Sequence, residues 1–367
     1  MNSRERFGLA MRHLPADRVP IDIGGTTLTG MRPGVARRLA DVLGFTGVPQ
    51  LMNGRIDEQI LAWAGTDFRS VGAIVDLPSP LTRRPAEPPG PAVDCWGVRR
   101  EQVDGEYQIT GHPLKGATVE DLARFPWPEP RVDEALLAAW LTDAQRLAAE
   151  ARYVVVAEHP VFGILELGCW MCGYDDFLMR LAADGDFVLA FFDRVYAIQL
   201  AVIEQYYAVL GPYIDLTTSG DDFGMQRGPL LSPRAFRRFI APYFTARIAR
   251  TKALAGCYFW HHSCGSVTDL LDDIIACGVD ILNPVQTSAA GMEPAGLKAQ
   301  FGERIVFWGG VDVQQFLPHA TPDEVAREVV RLAAILGAGG GYVMAPAHEI
   351  QEDVPIENLV AWMEAMR

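Results

Sequence analysis

Apolar residues along the chain fall into two alternating patterns. Short runs of consecutive apolar residues recur at 19–23, 70–76, 153–158, 213–218, 257–261, 280–284, 305–308 and 341–345. Continuous rather than alternating hydrophobicity marks strands covered on both faces, as in a parallel sheet walled by helices. Between these runs lie longer stretches with helical spacing, at 165–183, 186–210, 233–255, 266–277, 293–301 and 322–336. Two of them open on start signals, Ser232 before Pro233 and Thr321 before Pro322, because proline lacks a donor that the first turn would leave unused anyway. Eight strands, most followed by a helix, predict an α/β chain folded as a single (β/α)8 TIM barrel, one domain over residues 1–367. A doubly wound sheet is the alternative, since the pattern does not carry strand order.

Residues 85–116 break the rhythm. The stretch begins Pro/Gly-rich at Pro88-Pro89-Gly90-Pro91 and continues with two β-rich runs, 93–102 and 107–110, around Asp104-Gly105. It predicts a β-hairpin excursion on the barrel rather than a second domain.

The 367 residues are 49% hydrophobic and 21% charged, with a formal charge of −14. That composition supports a large core, and the negative surface disfavours nucleic acid and anionic membranes as partners. No apolar run approaches the ~18 residues of a membrane span. The first residues, Met1-Asn2-Ser3-Arg4-Glu5-Arg6, lack the apolar stretch of a signal peptide. Six cysteines are too sparse for a disulfide framework, so reduced thiols in a cytoplasm are expected.

Five strand ends are polar. His262-Ser263-Cys264-Gly265 follows the 257–261 run, and Asp221-Asp222-Phe223-Gly224-Met225-Gln226 follows 213–218. Gln286 follows 280–284, Asp312 and Gln314 follow 305–308, and His348-Glu349 follows 341–345. In a barrel these ends share one rim, where active sites of this architecture lie. The H-x-C pair sets an imidazole and a thiol two residues apart. Zinc accepts both ligand types, and a catalytic site keeps an open position beside three protein ligands. His348 is the third ligand if the barrel closes. Taken alone, H-x-C is more often a cysteine beside a hydrogen-bonded histidine, and alternation turns His261 away from its neighbour. Of the pair Asp221-Asp222, at most one faces a ligand for the same reason. Cys169-Trp170-Met171-Cys172 fits the apolar face of a helix start better than a redox or metal motif. The run Gly337-Ala338-Gly339-Gly340-Gly341 precedes a strand, so it ends a helix and is no dinucleotide fingerprint.

These residues resemble the uroporphyrinogen decarboxylase superfamily, and within it the corrinoid-dependent methyltransferase branch. The resemblance rests on Gly220 to Gln226, Ser232-Pro233, His262-Ser263-Cys264-Gly265, Gly278 to Gln286 and Trp308-Gly309-Gly310-Val311-Asp312. Gly339-Gly340-Gly341-Tyr342, Pro346-Ala347-His348 and Val354-Pro355-Ile356-Glu357-Asn358 add to it. At the start of the chain, Arg4-Glu5-Arg6-Phe7 and Asp17-Arg18-Val19-Pro20 fit less closely.

The resemblance implies the barrel and a choice of two chemistries. The decarboxylases need no cofactor and hold an octacarboxylate with arginines in an N-terminal segment M-R-Q-A-G-R-Y-x-P. Here the nearest string, Met11-Arg12-His13-Leu14-Pro15, lacks the second arginine. The methyltransferases hold zinc with H-x-C and a late cysteine, and the zinc activates a thiol such as coenzyme M. His348 occupies that late position here, as in the decarboxylases. The expectation is a zinc-dependent, corrinoid-linked methyltransferase or demethylase. In it His262, Cys264 and His348 bind metal, His348 and Asp222 act in catalysis, and Gln226, Gln286, Asp312 and Gln314 line the substrate pocket. A corrinoid such as methylcobalamin is its co-substrate, delivered free or on a corrinoid-carrying protein, and a homodimer is compatible with the branch. True uroporphyrinogen decarboxylation and a non-catalytic tetrapyrrole-binding role are the alternatives.

Overall fold

Among the described residues ten strands form from the β-rich runs: β1 (Phe68–Val71), β2 (Ala92–Val93), β3 (Arg99–Val103), β4 (Glu106–Gly111), β5 (Val154–Ala157), β6 (Leu216–Thr217), β7 (Tyr258–His262), β8 (Ile281–Val285), β9 (Val306–Val311) and β10 (Tyr342–Pro346). The structure is a computed structural model and describes residues 1–49, 55–85, 90–103 and 106–366. Strands β1 and β5 to β10 make one parallel sheet in the order β1-β5-β6-β7-β8-β9-β10. The gap between β10 and β1 is filled by the chain at Ile21, which bridges Met344 in parallel. Asp22 N–H donates to the Met344 carbonyl at 2.9 Å, Met344 N–H to Pro20 at 2.9 Å, and Asp67 N–H to Ile21 at 2.9 Å. This eighth stave, predicted at 19–23, closes the (β/α)8 barrel.

Inside the ring, Phe68, Val154, Val156, Leu216, Trp260, Ile281, Val306, Trp308, Val343 and Ala345 pack into one apolar plug. The helix Ser3–Met11 caps its lower end by inserting Phe7, edge-on to Phe68 at 5.4 Å and to Trp308 at 6.4 Å. Each such side chain contributes about 1.5–3 kcal/mol when fully buried. Arg6 and Arg18 fasten the helix and the first stave to the buried carboxylate of Asp67.

Helix 322–336 has the predicted limits, Pro322–Leu336, fixed by a Thr321/Glu324 capping box. Other limits move for local reasons. The strand read at 70–76 is β1, ended by Gly72 at φ 79°. The stretch 165–183 is two helices, Ile164–Cys172 and Tyr174–Ala183, because Gly173 at φ 91° breaks the spiral between them. The stretch 233–255 contains a π turn, Phe236–Ile240, just before the helix Ala241–Ala255, where Pro242 has no N–H to donate.

The excursion contains the predicted hairpin as the antiparallel pair β3–β4, and β2 extends it to a three-stranded sheet in the order β2-β3-β4. Asp94 divides the 93–102 run by accepting the Trp96 and Val98 N–H groups at 3.0 Å each. The turn read at Asp104-Gly105 and the pair Pro88-Pro89 lie outside the described residues. Among the described residues no helix is long and apolar enough to cross a membrane.

Candidate active site

Counting upward by twos from the plug gives the first polar layer. Inward Trp260 is followed by His262, Ile281 by Asn283, Val156 by Glu158 and Leu216 by Thr218, since alternate side chains share a face. The intervening residues turn outward. His261 is buried, with Nδ1 2.9 Å from Ser219 Oγ and its ring against Phe223 and Phe244.

At this layer His262, Cys264 and His348 come together. One ligand atom from each lies within 4.8 Å of the others. His262 Nε2 is 3.2 Å from Cys264 Sγ, and its Nδ1 is 2.6 Å from Asn283 Oδ1. The Asn283 amide nitrogen donates to the Trp308 carbonyl at 3.3 Å, which fixes Oδ1 as the atom facing the ring. His262 Nδ1 therefore carries the proton and Nε2 presents its lone pair beside the thiol, the arrangement a metal-binding histidine needs.

Burial pushes the Cys264 thiol up, with Asp222 and Glu166 adding to the effect, so the free thiol is protonated at neutral pH. Burial, then the neighbouring His262, holds His348 down at about 4, as a neutral imidazole. The Glu349 N–H donates to His348 Nδ1 at 2.8 Å. The donor set fits one zinc ion: a thiol and two imidazoles on separate strand ends. His262 and Cys264 are already disposed for it, whereas His348 must give up its Glu349 hydrogen bond, because Nδ1 must either coordinate or take the proton that leaves Nε2.

Of these residues, His262 and His348 border a cavity of about 430 Å³. His262, His348, Asp222, Glu158 and Glu166 line it, with Leu28, Ile74, Val161 and Phe162 as an apolar wall. Asp222 also accepts the Cys264 N–H at 2.7 Å. Its neighbour Asp221 points elsewhere, accepting the Leu165 and Glu166 N–H groups at 3.0 and 2.9 Å and so capping the helix Ile164–Cys172. Burial raises Asp221 to about 6, against the pull of those two N–H groups.

The four residues expected to line the substrate pocket are not among the residues lining this cavity. Gln286 accepts the Gly265 N–H at 2.7 Å and so shapes the loop that carries Cys264. Asp312 accepts the N–H groups of Gln314, Gln315 and Phe316 at 2.9, 2.6 and 3.1 Å. Gln226 and Gln314 are exposed.

Glu158, Glu166 and Asn283 were not singled out from the sequence. Alternation from Val156 and Ile281 points to the first and last. Glu166 offers only the weak signal of one acidic residue in the apolar helix start Ile164-Leu165-Glu166-Leu167. The C-x-x-C cysteines Cys169 and Cys172 are buried free thiols on that helix.

The family model described as Uroporphyrinogen decarboxylase (URO-D) matches residues 118–367. The chain belongs to the uroporphyrinogen decarboxylase family. A uroporphyrinogen decarboxylase of Psychromonas ingrahamii is 28% identical over 143 residues, 38% of each chain. One from Mannheimia succiniciproducens is 32% identical over 72 residues, 20% of each. The matched segments thus span well under half of these URO-D relatives. A methyltransferase from Methanosarcina mazei shares the fold, with a TM-score of 0.63 at 18% identity, across 100% of this chain and 98% of its own.

Proposed function

We propose that this URO-D family chain is a zinc-dependent, corrinoid-linked methyltransferase that moves a methyl group between a corrinoid and a thiol or another small acceptor or donor. The observation that carries the reading is the convergence of His262, Cys264 and His348 within 4.8 Å, the two histidines lining the cavity. The fold shared with the Methanosarcina mazei methyltransferase supports it. Zinc bound there would supply Lewis acidity, lowering the pKa of a coordinated thiol or water. The protein's own groups do the rest. Asn283 orients His262, Asp222 steadies the Cys264 backbone and is placed to take a proton from the bound thiol, and the apolar wall keeps water scarce.

Uroporphyrinogen decarboxylation is disfavoured by the same cavity, because none of its described lining residues is Lys or Arg. An octacarboxylate would meet Glu158, Glu166 and Asp222 instead. One contact favours a second role for His348. With Nδ1 accepting from Glu349, the neutral ring carries its proton on Nε2 and can donate a hydrogen bond to substrate.

The test is zinc content per chain for wild type, Cys264→Ala and His348→Ala, together with demethylation of methylcobalamin by added thiols. Zinc-loaded wild type that transfers methyl groups, and a Cys264→Ala protein that does neither, is the expected result. A metal-free wild type, active Cys264→Ala and efficient conversion of uroporphyrinogen would reverse it.

A further inference from the structure

The cavity has two chemically different ends. At one, Asp222 and Glu166 act on Cys264 beside the candidate metal ligands. At the other, Glu158 rises from the end of β5, with one carboxylate oxygen 2.8 Å from the Thr27 N–H and the other 3.0 Å from the Thr218 hydroxyl. Leu28, Ile74 and Phe162 line the space beside it.

No described lining residue carries a positive charge. The guanidiniums that act on lining residues are held by other groups. Arg32, which acts on His348, pairs with Glu349 at 3.3 Å. Arg55, which acts on Glu158, donates to the Gly72 carbonyl at 2.6 Å. Arg247, which acts on His159, donates to the Phe162 carbonyl at 3.2 Å. A zinc ion would balance charge at the first end; at the second, Arg55 acts on Glu158 only from outside the lining, and no described lining residue meets the carboxylate with a positive charge.

We infer that the substrate carries a positive head group of the alkylammonium class, seated against Glu158 and the Phe162–Leu28–Ile74 wall, with its reacting group at the His262–Cys264 end. This deepens the methyltransferase reading and rests on it for the placement of the reacting group.

The physical case has three parts. A carboxylate backed by apolar and aromatic surface is the combination that holds an alkylammonium, since the cation's methyl groups prefer apolar contact while its charge attracts the carboxylate and the ring face. An anionic head group would face carboxylates at both ends in a partly desolvated space, where like-charge repulsion is several-fold stronger than in water. Burial also lifts the Glu158 carboxyl above its ordinary range, a penalty on the ionised form that a bound cation offsets.

Three thiols of one length separate the possibilities: thiocholine with a cationic head, neohexyl thiol with the same shape and no charge, and coenzyme M with a sulfonate. Binding is measured by calorimetry on zinc-loaded wild type and on Glu158→Gln. Thiocholine should bind at least about tenfold more tightly than neohexyl thiol, and coenzyme M more weakly than either. Glu158→Gln should cut the cation preference to below about threefold while leaving neohexyl thiol binding in place.

Coenzyme M binding as tightly as thiocholine, or a Glu158→Gln protein that keeps the full preference, overturns the inference. If Glu158→Gln does not fold, the wild-type ranking decides alone. The parent reading is tested apart, with choline against neohexanol on zinc-free protein. A cation preference there without zinc binding or methyl transfer removes the methyltransferase and keeps the ammonium site. Methyl transfer to coenzyme M without such a preference does the reverse.

Discussion

Strands β7 and β9 both end in polar residues on the same rim, and the two ends do opposite things. After β7, remote groups satisfy the backbone: Cys264 N–H goes to Asp222, Gly265 N–H to Gln286, and Ser263 N–H to the Asn283 carbonyl. The His262 and Cys264 side chains are left to face each other. After β9, the local side chain satisfies the backbone, with Asp312 Oδ1 taking three N–H groups of its own loop. A polar strand end becomes a site when its main chain is served from elsewhere. It becomes scaffold when its own side chain does that service.

The largest expected effect falls on the β7 side. On the proposed reading, His262→Ala and Cys264→Ala should each weaken zinc binding by more than about 100-fold, because each removes one of three proposed ligands. His348→Ala should cost less than either, since His348 must first release the Glu349 N–H. Asp312→Ala should leave zinc affinity within about twofold. Competitive zinc titration checks all four, and equal losses at His262 and Asp312 would erase the distinction between the two strand ends.

A smaller effect sharpens it. Asn283 is not itself one of the three candidate ligands, yet it sets which nitrogen of His262 carries the proton. Asn283→Ala should lower zinc affinity by about 10- to 100-fold with His262 and Cys264 intact, the usual cost of losing such an orienting partner. Unchanged affinity in the same titration would show that His262 is oriented by packing alone.

On the β9 side the expected loss is stability. Asp312 is buried, and Asp312→Ala would strand three backbone N–H groups near the barrel rim. A loss of about 2–3 kcal/mol is expected, read as a lower midpoint in urea with an unchanged slope. The zinc affinity of the folded fraction should stay near wild type.

How far the sequence carries this contrast can be traced residue by residue. The barrel was legible because Val154–Ala157 and Tyr342–Pro346 are apolar on both faces, and because each pairs in parallel with neighbours that the chain order suggests. The break at Gly173 was not legible, since its left-handed backbone matters only in place. His262, Cys264 and His348 could be grouped once a closed barrel was assumed. Asn283 and Glu158 were within reach of period-two counting from Val156 and Ile281. Gln226 and Gln314 lie exposed and outside the cavity lining, because polarity after a strand says nothing about direction. Asp312 carries a more specific signal: an aspartate followed within a few residues by several free N–H groups is itself a turn signal, and its Oδ1 accepts three N–H groups of its own loop.

Titration of Asp312 gives the smallest effect and the closest view of what that side chain does. Burial pushes its carboxyl up, but the N–H groups of Gln315, Phe316 and Gln314 and the Ser288 hydroxyl bind the ionised form and together hold it below the ordinary carboxylate range. A group with a depressed folded-state pKa binds its proton more readily when unfolded, at about 3.9 for aspartate. Its contribution to stability is therefore complete above that value and disappears as pH falls through the folded value. Asp312→Asn keeps the shape but loses the charge, so wild type should exceed it by about 1 kcal/mol at pH 7. The gap should narrow only below about pH 4. Urea unfolding of both proteins between pH 7 and pH 3 measures it. A gap that stays constant to pH 3 would mean that shape alone holds the β9 loop, and the charge of Asp312 would then have no part in separating scaffold from site.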